Sequence, residues 1–139
     1  MAITNIVVGI DGSETSYRAF AMAVGLAARE HGCVHACFVD HVPAIAAVGG
    51  LALAPVPAPV DPEGDGQLAR FVAAELGRAR VDGDFTWQSG EIAIGLERLA
   101  TTCVADVIVV GRSAHPHLHL GGVPRQLLSR GRWPVLVVP

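Results

Sequence analysis

Lysine is absent from this chain: all ten basic residues are arginine. The bias reads as genomic codon usage more than as function, but it removes any Walker-type phosphate-binding lysine. Charge is scarce too, with 17% charged residues against 51% hydrophobic ones, which excludes an intrinsically disordered chain. The net charge of −3 argues against wholesale binding to nucleic acid or a membrane surface. Acids are missing altogether from Val107 to Pro139, a stretch that carries Arg112, Arg125, Arg130 and Arg132 and is therefore locally positive.

Cysteine is rare and badly spaced for chemistry. Of the three, Cys33 and Cys37 fall in one expected strand, about 13 Å apart at about 3.3 Å per residue. A disulfide needs Cα atoms within about 7 Å, and the spacing fits neither a C-x-x-C redox pair nor a zinc knuckle. Buried, reduced thiols in a cytoplasmic protein are the expectation. No basic segment followed by an apolar run opens the chain, so no secretory signal is expected. The uncharged run Val42 to Val60 is no membrane span either, because Pro43, Pro55, Pro57 and Pro59 interrupt it. It reads as an apolar connector lying over a crevice or a dimer surface.

What is present alternates. Ile3 to Ile10 is a β-branched run suited to a strand covered on both faces. Ser13 is a candidate N-cap for a helix that Gly32 would stop, with Ala19, Met22, Ala23 and Leu26 on its inner face. Cys33 to Val39 reads as a second strand and Glu63 to Arg80 as a helix, with Leu68, Phe71, Val72, Leu76 and Ala79 on one face. Asp82-Gly83 would be the exit turn, followed by a short third strand with Phe85 and Trp87. Glu91 to Val104 is a third helix, Val107 to Val110 a fourth strand, a helix starts near Val123 with Pro124 in its first turn, and Pro134 to Val138 is the last strand.

Strands alternating with helices predict one domain, 1–139: an α/β doubly wound sandwich with a five-stranded parallel sheet and about four helices, for which the order 3-2-1-4-5 is the expectation taken forward. Ligands in such folds bind beyond the C-terminal strand ends, where the strand order reverses. The loops after strands 1 and 4, Asp11-Gly12-Ser13 and Gly111 to Gly122, then face one crevice. A glycine-bounded loop lets backbone approach a ligand, and the following helix N-terminus suits a phosphate.

IVVGIDGSETSYRAF at the start, SGEIAIGLERLA followed by DVIVVG, and GGVPRQLLSRGRWPVLVV at the end resemble the universal stress protein family over nearly the whole chain. The resemblance implies that fold, a homodimer joined through the last strand, a role in stress survival, and ATP or AMP as ligand. It places adenosine near Asp11 and the backbone of Val39, and phosphates near Gly111, Arg112, Gly121, Gly122 and Val123. Many members carry a loop of the form G-x2-G-x9-G-[ST]. Gly111 matches its first glycine and Gly121 its last, but this loop is three residues shorter, Ala114 stands at the inner glycine, and Gly122 replaces the hydroxyl residue. Pro124 removes one N–H from the helix start. A weakened grip on a triphosphate follows.

Alternatives stay open at this level. Asp11 also reads as a turn or capping residue, and the glycines as tight-turn positions. His115, His117 and His119 alternate about 6.6 Å apart if extended. They read as a metal-ligand set without a fourth member, as phosphate contacts, or as a polar surface loop, and no metal is assigned. No spacing gives Ser13 or Ser113 a base, so no catalytic residue is nominated. Three functions therefore compete: a nucleotide-binding regulator, a protein-interaction module of the same fold that binds no nucleotide, and a slow ATP hydrolase.

Overall fold

Uninterrupted apolar runs become strands covered on both faces. The computed structural model describes residues 3–41, 63–112 and 122–139. In it, β1 (Asn5–Gly9) buries Ile6, Val7 and Val8 completely. After it come α1 (Glu14–Glu30), β2 (Cys33–His41), α2 (Glu63–Ala79), β3 (Asp82–Gly90), α3 (Ile92–Thr102), β4 (Val107–Gly111), α4 (Val123–Arg130) and β5 (Val135–Val138). The sheet order is β3-β2-β1-β4-β5 and every pair is parallel, as the alternation predicts. Successive strand residues point to opposite faces, so two cores form. Ile6, Val8, Val34 and Ala36 pack with α1 and α2, including Phe20 and Val72. Val7, Cys37, Val39 and Ile108 pack with α3 and α4, including Leu96 and Leu127.

Three local readings shift. Asp82 and Gly83 are not an exit turn but the first residues of β3, which runs nine residues. A Cβ on Gly83 would lie 2.3 Å from the Val34 carbonyl oxygen, so this glycine serves close strand approach, and the left-handed turn residue is Arg80 at φ 54°. Gly32 likewise does not stop α1. His31 adopts the left-handed C-cap at φ 55°, while Gly32 makes room for the Ile3 and Thr4 carbonyls, 2.9 Å from where its Cβ would stand. The inner face of α1 is Ser16, Ala19, Phe20, Ala23 and Ala27, leaving Met22 exposed. Ala79 at the end of α2 is exposed too.

The switch point falls between β1 and β4, with β2 on the far side of β1. This order sets the C-terminal ends of β2, β1 and β4 side by side. β5 is the edge strand, with Leu136 and Val137 each more than a third exposed. The Val42–Val60 connector, Ser113, Ala114, the three loop histidines and Gly121 lie outside the described residues. Among the described helices, none is long and apolar enough to cross a membrane.

Candidate functional site

The acid after β1 is held by a short hydrogen-bonded turn. Gly12 takes φ +84°, a conformation that favours glycine, and turns the chain into α1. The Ser13 N–H then donates to Asp11 Oδ1 at 2.8 Å. Ser13 caps α1 by accepting from the Ser16 N–H. The buried Ser16 hydroxyl donates to the Ser13 carbonyl at 2.8 Å and accepts from the Asp11 N–H at 3.2 Å. Glu14, in the first turn, pairs with Arg18. Asp11 is thus a turn residue, and its carboxylate stands exposed just beyond β1. Burial pushes the carboxyl up, but the hydrogen bonds from Ser13 and Ser16 outweigh it and leave it below the ordinary carboxylate value. Asp11 is therefore an anionic acceptor at neutral pH.

Asp11 and Gly12 line a cleft of about 440 Å³ with Tyr17 from α1, Phe38 from β2, and Leu68 and Phe71 from α2. Tyr17 meets Phe71 edge-on, ring centroids 4.9 Å apart. Phe38 stacks on Trp87 at 4.2 Å and 23°. The buried indole N–H of Trp87 has no hydrogen-bond partner among the described residues.

Val39 supplies backbone only, because its side chain is buried against Gly95, where a Cβ would come within 2.9 Å of it. The Ile10 N–H donates to the Cys37 carbonyl at 2.9 Å. Every second strand residue directs its N–H and C=O the same way, so those of Val39 point toward the β1 side, beyond that bond. Asp11 and the Val39 backbone thus lie at adjoining strand ends.

Gly111 closes β4, and its bare Cα is explained by packing. A Cβ there would sit 2.6 Å from the Thr15 carbonyl carbon and oxygen and 2.9 Å from the Ser16 nitrogen. Arg112 follows, its N–H donating to the Val138 carbonyl at 2.7 Å. Gly122 is the N-cap of α4 without any side-chain cap, Val123 is its first residue, and Pro124 stands in the first turn as expected. Arg125 turns elsewhere. It lines a separate groove of about 380 Å³ between α3 and α4, with Glu91, Ile94, Ser129 and Arg130. Beside that groove the buried Glu97 accepts from Arg130 Nε at 2.7 Å, and its other oxygen has no partner among the described residues.

The sequence reading brought out Asp11 but missed Tyr17, Phe38 and Phe71 as cleft residues. Phe71 had registered only as helix core, and the available signal was the clustering of aromatics on elements that the strand order makes neighbours. Glu97 was missed as well, since a charge at a core-facing helix position has no pattern until its partner is known. Among the described residues no cluster of His, Cys, Asp or Glu could hold a metal ion. The cysteines are free, and burial pushes the Cys37 thiol up to about 12.

Comparison with known proteins adds the relationship. The chain matches the Universal stress protein family over residues 2–139. No match is found among curated proteins. Similar solved structures include a universal stress protein from Burkholderia pseudomallei, 24% identical, TM-score 0.71, covering 99% of this chain and 97% of that one. A universal stress protein in complex with cAMP is 24% identical, TM-score 0.75, covering 100% and 99%. The universal stress protein from Archaeoglobus fulgidus in complex with dAMP is 16% identical, TM-score 0.68, covering 100% of both chains.

Proposed function

The chain belongs to the universal stress protein family, and from that premise we propose that it is a cytoplasmic, homodimeric stress-response regulator whose crevice takes an adenine nucleotide with a weakened hold on the phosphates. The observation that carries the reading is the Asp11 carboxylate. It is fixed by the Ser13–Ser16 turn, is exposed at the rim of the cleft, and sits next to the outward-facing Val39 backbone. These groups suit the N–H and O–H donors of adenosine. Across the switch point the Val123 N–H and the positive end of α4 suit a phosphate. Gly122 brings no hydroxyl there, and Pro124 brings no N–H. Each missing hydrogen bond to a charged group is worth about 1.5–3 kcal/mol. Two such losses weaken a triphosphate by roughly a hundredfold or more. The neighbours solved with cAMP and with dAMP support a ligand that carries one phosphate.

The dimer rests on the exposed Leu136 and Val137 of edge strand β5, an apolar edge that pairing would cover. The absence of a nominated base gives no support to hydrolysis. Calorimetry tests the nucleotide reading: AMP and ATP bind with similar affinity, and Asp11→Ala abolishes most of it. Tight ATP binding that AMP cannot match overturns the weakened-loop argument. No binding of either nucleotide favours the interaction module.

A further inference from the structure

The groove between α3 and α4 holds about 380 Å³, at the small end of the range of about 300–1,000 Å³ typical of ligand sites. Glu91 enters it from the N-cap of α3, and Arg125 from the first turn of α4. Ala93 and Ile94, the latter 40% exposed, add apolar surface, and Ser129 adds a hydroxyl. Glu91 does not cap α3 with its side chain, and among the described residues neither Glu91 nor Arg125 enters an ion pair. Arg130, the second arginine of the groove, is held through Nε by the buried Glu97. The two arginines and two glutamates cancel, so the groove offers both signs of charge without a net charge. A plain anion would meet Glu91 and a plain cation would meet Arg125, each an unfavourable like-charge contact. A molecule that carries both charges close together, with a hydrocarbon group beside them, meets neither penalty.

We propose that the α3–α4 groove is a binding site for a small zwitterion of the α-amino-acid class. The ligand carboxylate lies on Arg125 and Ser129, its ammonium on Glu91, and its apolar side chain against Ala93 and Ile94. The guanidinium of Arg125 is a planar fork that takes a carboxylate through two parallel bonds, and the Ser129 hydroxyl is a further donor. The half-buried Glu91 accepts from the ammonium. Arg130 stays with Glu97, so binding does not break the buried pair. The apolar wall favours a side chain such as leucine's over the hydrogen of glycine. The site is separate from the crevice beyond β1 and β4, and the inference does not depend on a nucleotide binding there.

The experiment is an NMR titration of the isotope-labelled full chain with leucine, glycine, N-acetylleucine and leucine methyl ester. It is run on the native protein and on Arg125→Gln, Arg125→Lys and Glu91→Gln, with thermal melting to confirm that each variant is folded. Leucine is expected to shift the amide signals of Ala93, Ile94, Arg125 and Ser129 saturably. N-acetylleucine lacks the ammonium and the methyl ester lacks the carboxylate, so each binds at least about tenfold more weakly, and glycine also binds more weakly than leucine. Arg125→Gln and Glu91→Gln each weaken leucine about tenfold, Arg125→Lys weakens it less, and none of the three changes the affinity for AMP. If leucine causes no saturable shift at these amides, the site is overturned. If either blocked derivative matches leucine, or if Arg125→Gln and Glu91→Gln bind it as the native chain does, recognition of a zwitterion is overturned.

Discussion

The two faces of the sheet solve the same packing problem with different chemistry. On the α1–α2 face the core is apolar apart from the buried Ser16, and the acid Asp11 sits exposed at the rim of an aromatic cleft. On the α3–α4 face an acid is sunk into the protein: Glu97 is 5% exposed and bound to Arg130, next to a groove edged by Arg125 and Ser129. One acid is presented and the other is neutralised. Charge at the surface of a cleft is available to a ligand, whereas charge inside a core is committed to the fold. Substitution of each should therefore move different observables.

The largest effect is expected on the committed side. Arg130→Met leaves the Glu97 carboxylate buried without a counter-ion and should cost about 2–3 kcal/mol of stability. That lies at or below the range for fully buried pairs, because Arg130 keeps 37% of its side chain in water. Chemical denaturation reads it, and AMP affinity of the folded variant should not change. Asp11→Ala does the reverse: about 1.5–3 kcal/mol of AMP affinity is lost, seen by calorimetry, with a smaller change in stability from the lost Ser13 bond. If both variants lose affinity equally, the division between the faces is wrong. A gain comes third. Gly122→Ser restores a hydroxyl at the start of α4 and should tighten ATP about tenfold in the same titration.

The fold was legible because its signals are long. Runs such as IVVGI and VIVV leave no doubt about central strands, and their alternation with amphipathic stretches predicts a parallel, doubly wound sheet. Glycines were legible as positions but not as purposes. Gly32 and Gly83 read as turn residues, yet both serve backbone approach, a relation between strands distant in sequence that no local pattern encodes. Half of the site was legible as well: Asp11 announces itself as an acid ending a buried strand. The aromatic wall was not, because Tyr17, Phe38 and Phe71 meet only once α1, β2 and α2 are assembled.

The smallest predicted effect concerns acid. Asp11 and Asp106 both lie below the ordinary carboxylate value of 3.8. For Asp106 the cause is the Asn5 N–H and then the Thr4 N–H, which donate to its Oδ2 at 3.0 and 2.8 Å. Groups with depressed folded pKa values stabilise fully above the unfolded value and lose that contribution as pH falls through the folded one. Thermal stability should be level from neutral pH to about pH 5 and decline below about pH 4. Asp106→Asn, which ties β1 to the start of β4 less firmly, should show a shallower decline and leave nucleotide binding untouched. A decline of unchanged slope would mean that other carboxylates dominate the acid response.

Gly111 carries a warning for anyone who maps this domain by genetic screening. Its missing side chain is occupied by the first turn of α1, so any replacement must wedge Thr15 and Ser16 away from the sheet, and Ser16 is the residue that anchors the Asp11 turn. A survey of tolerated substitutions would score the position as intolerant. The phenotype would look like a lost phosphate contact even if no phosphate ever touches it. Only a folded variant that binds adenosine normally, yet discriminates differently among phosphorylated forms, would earn Gly111 a place among the ligand-binding residues.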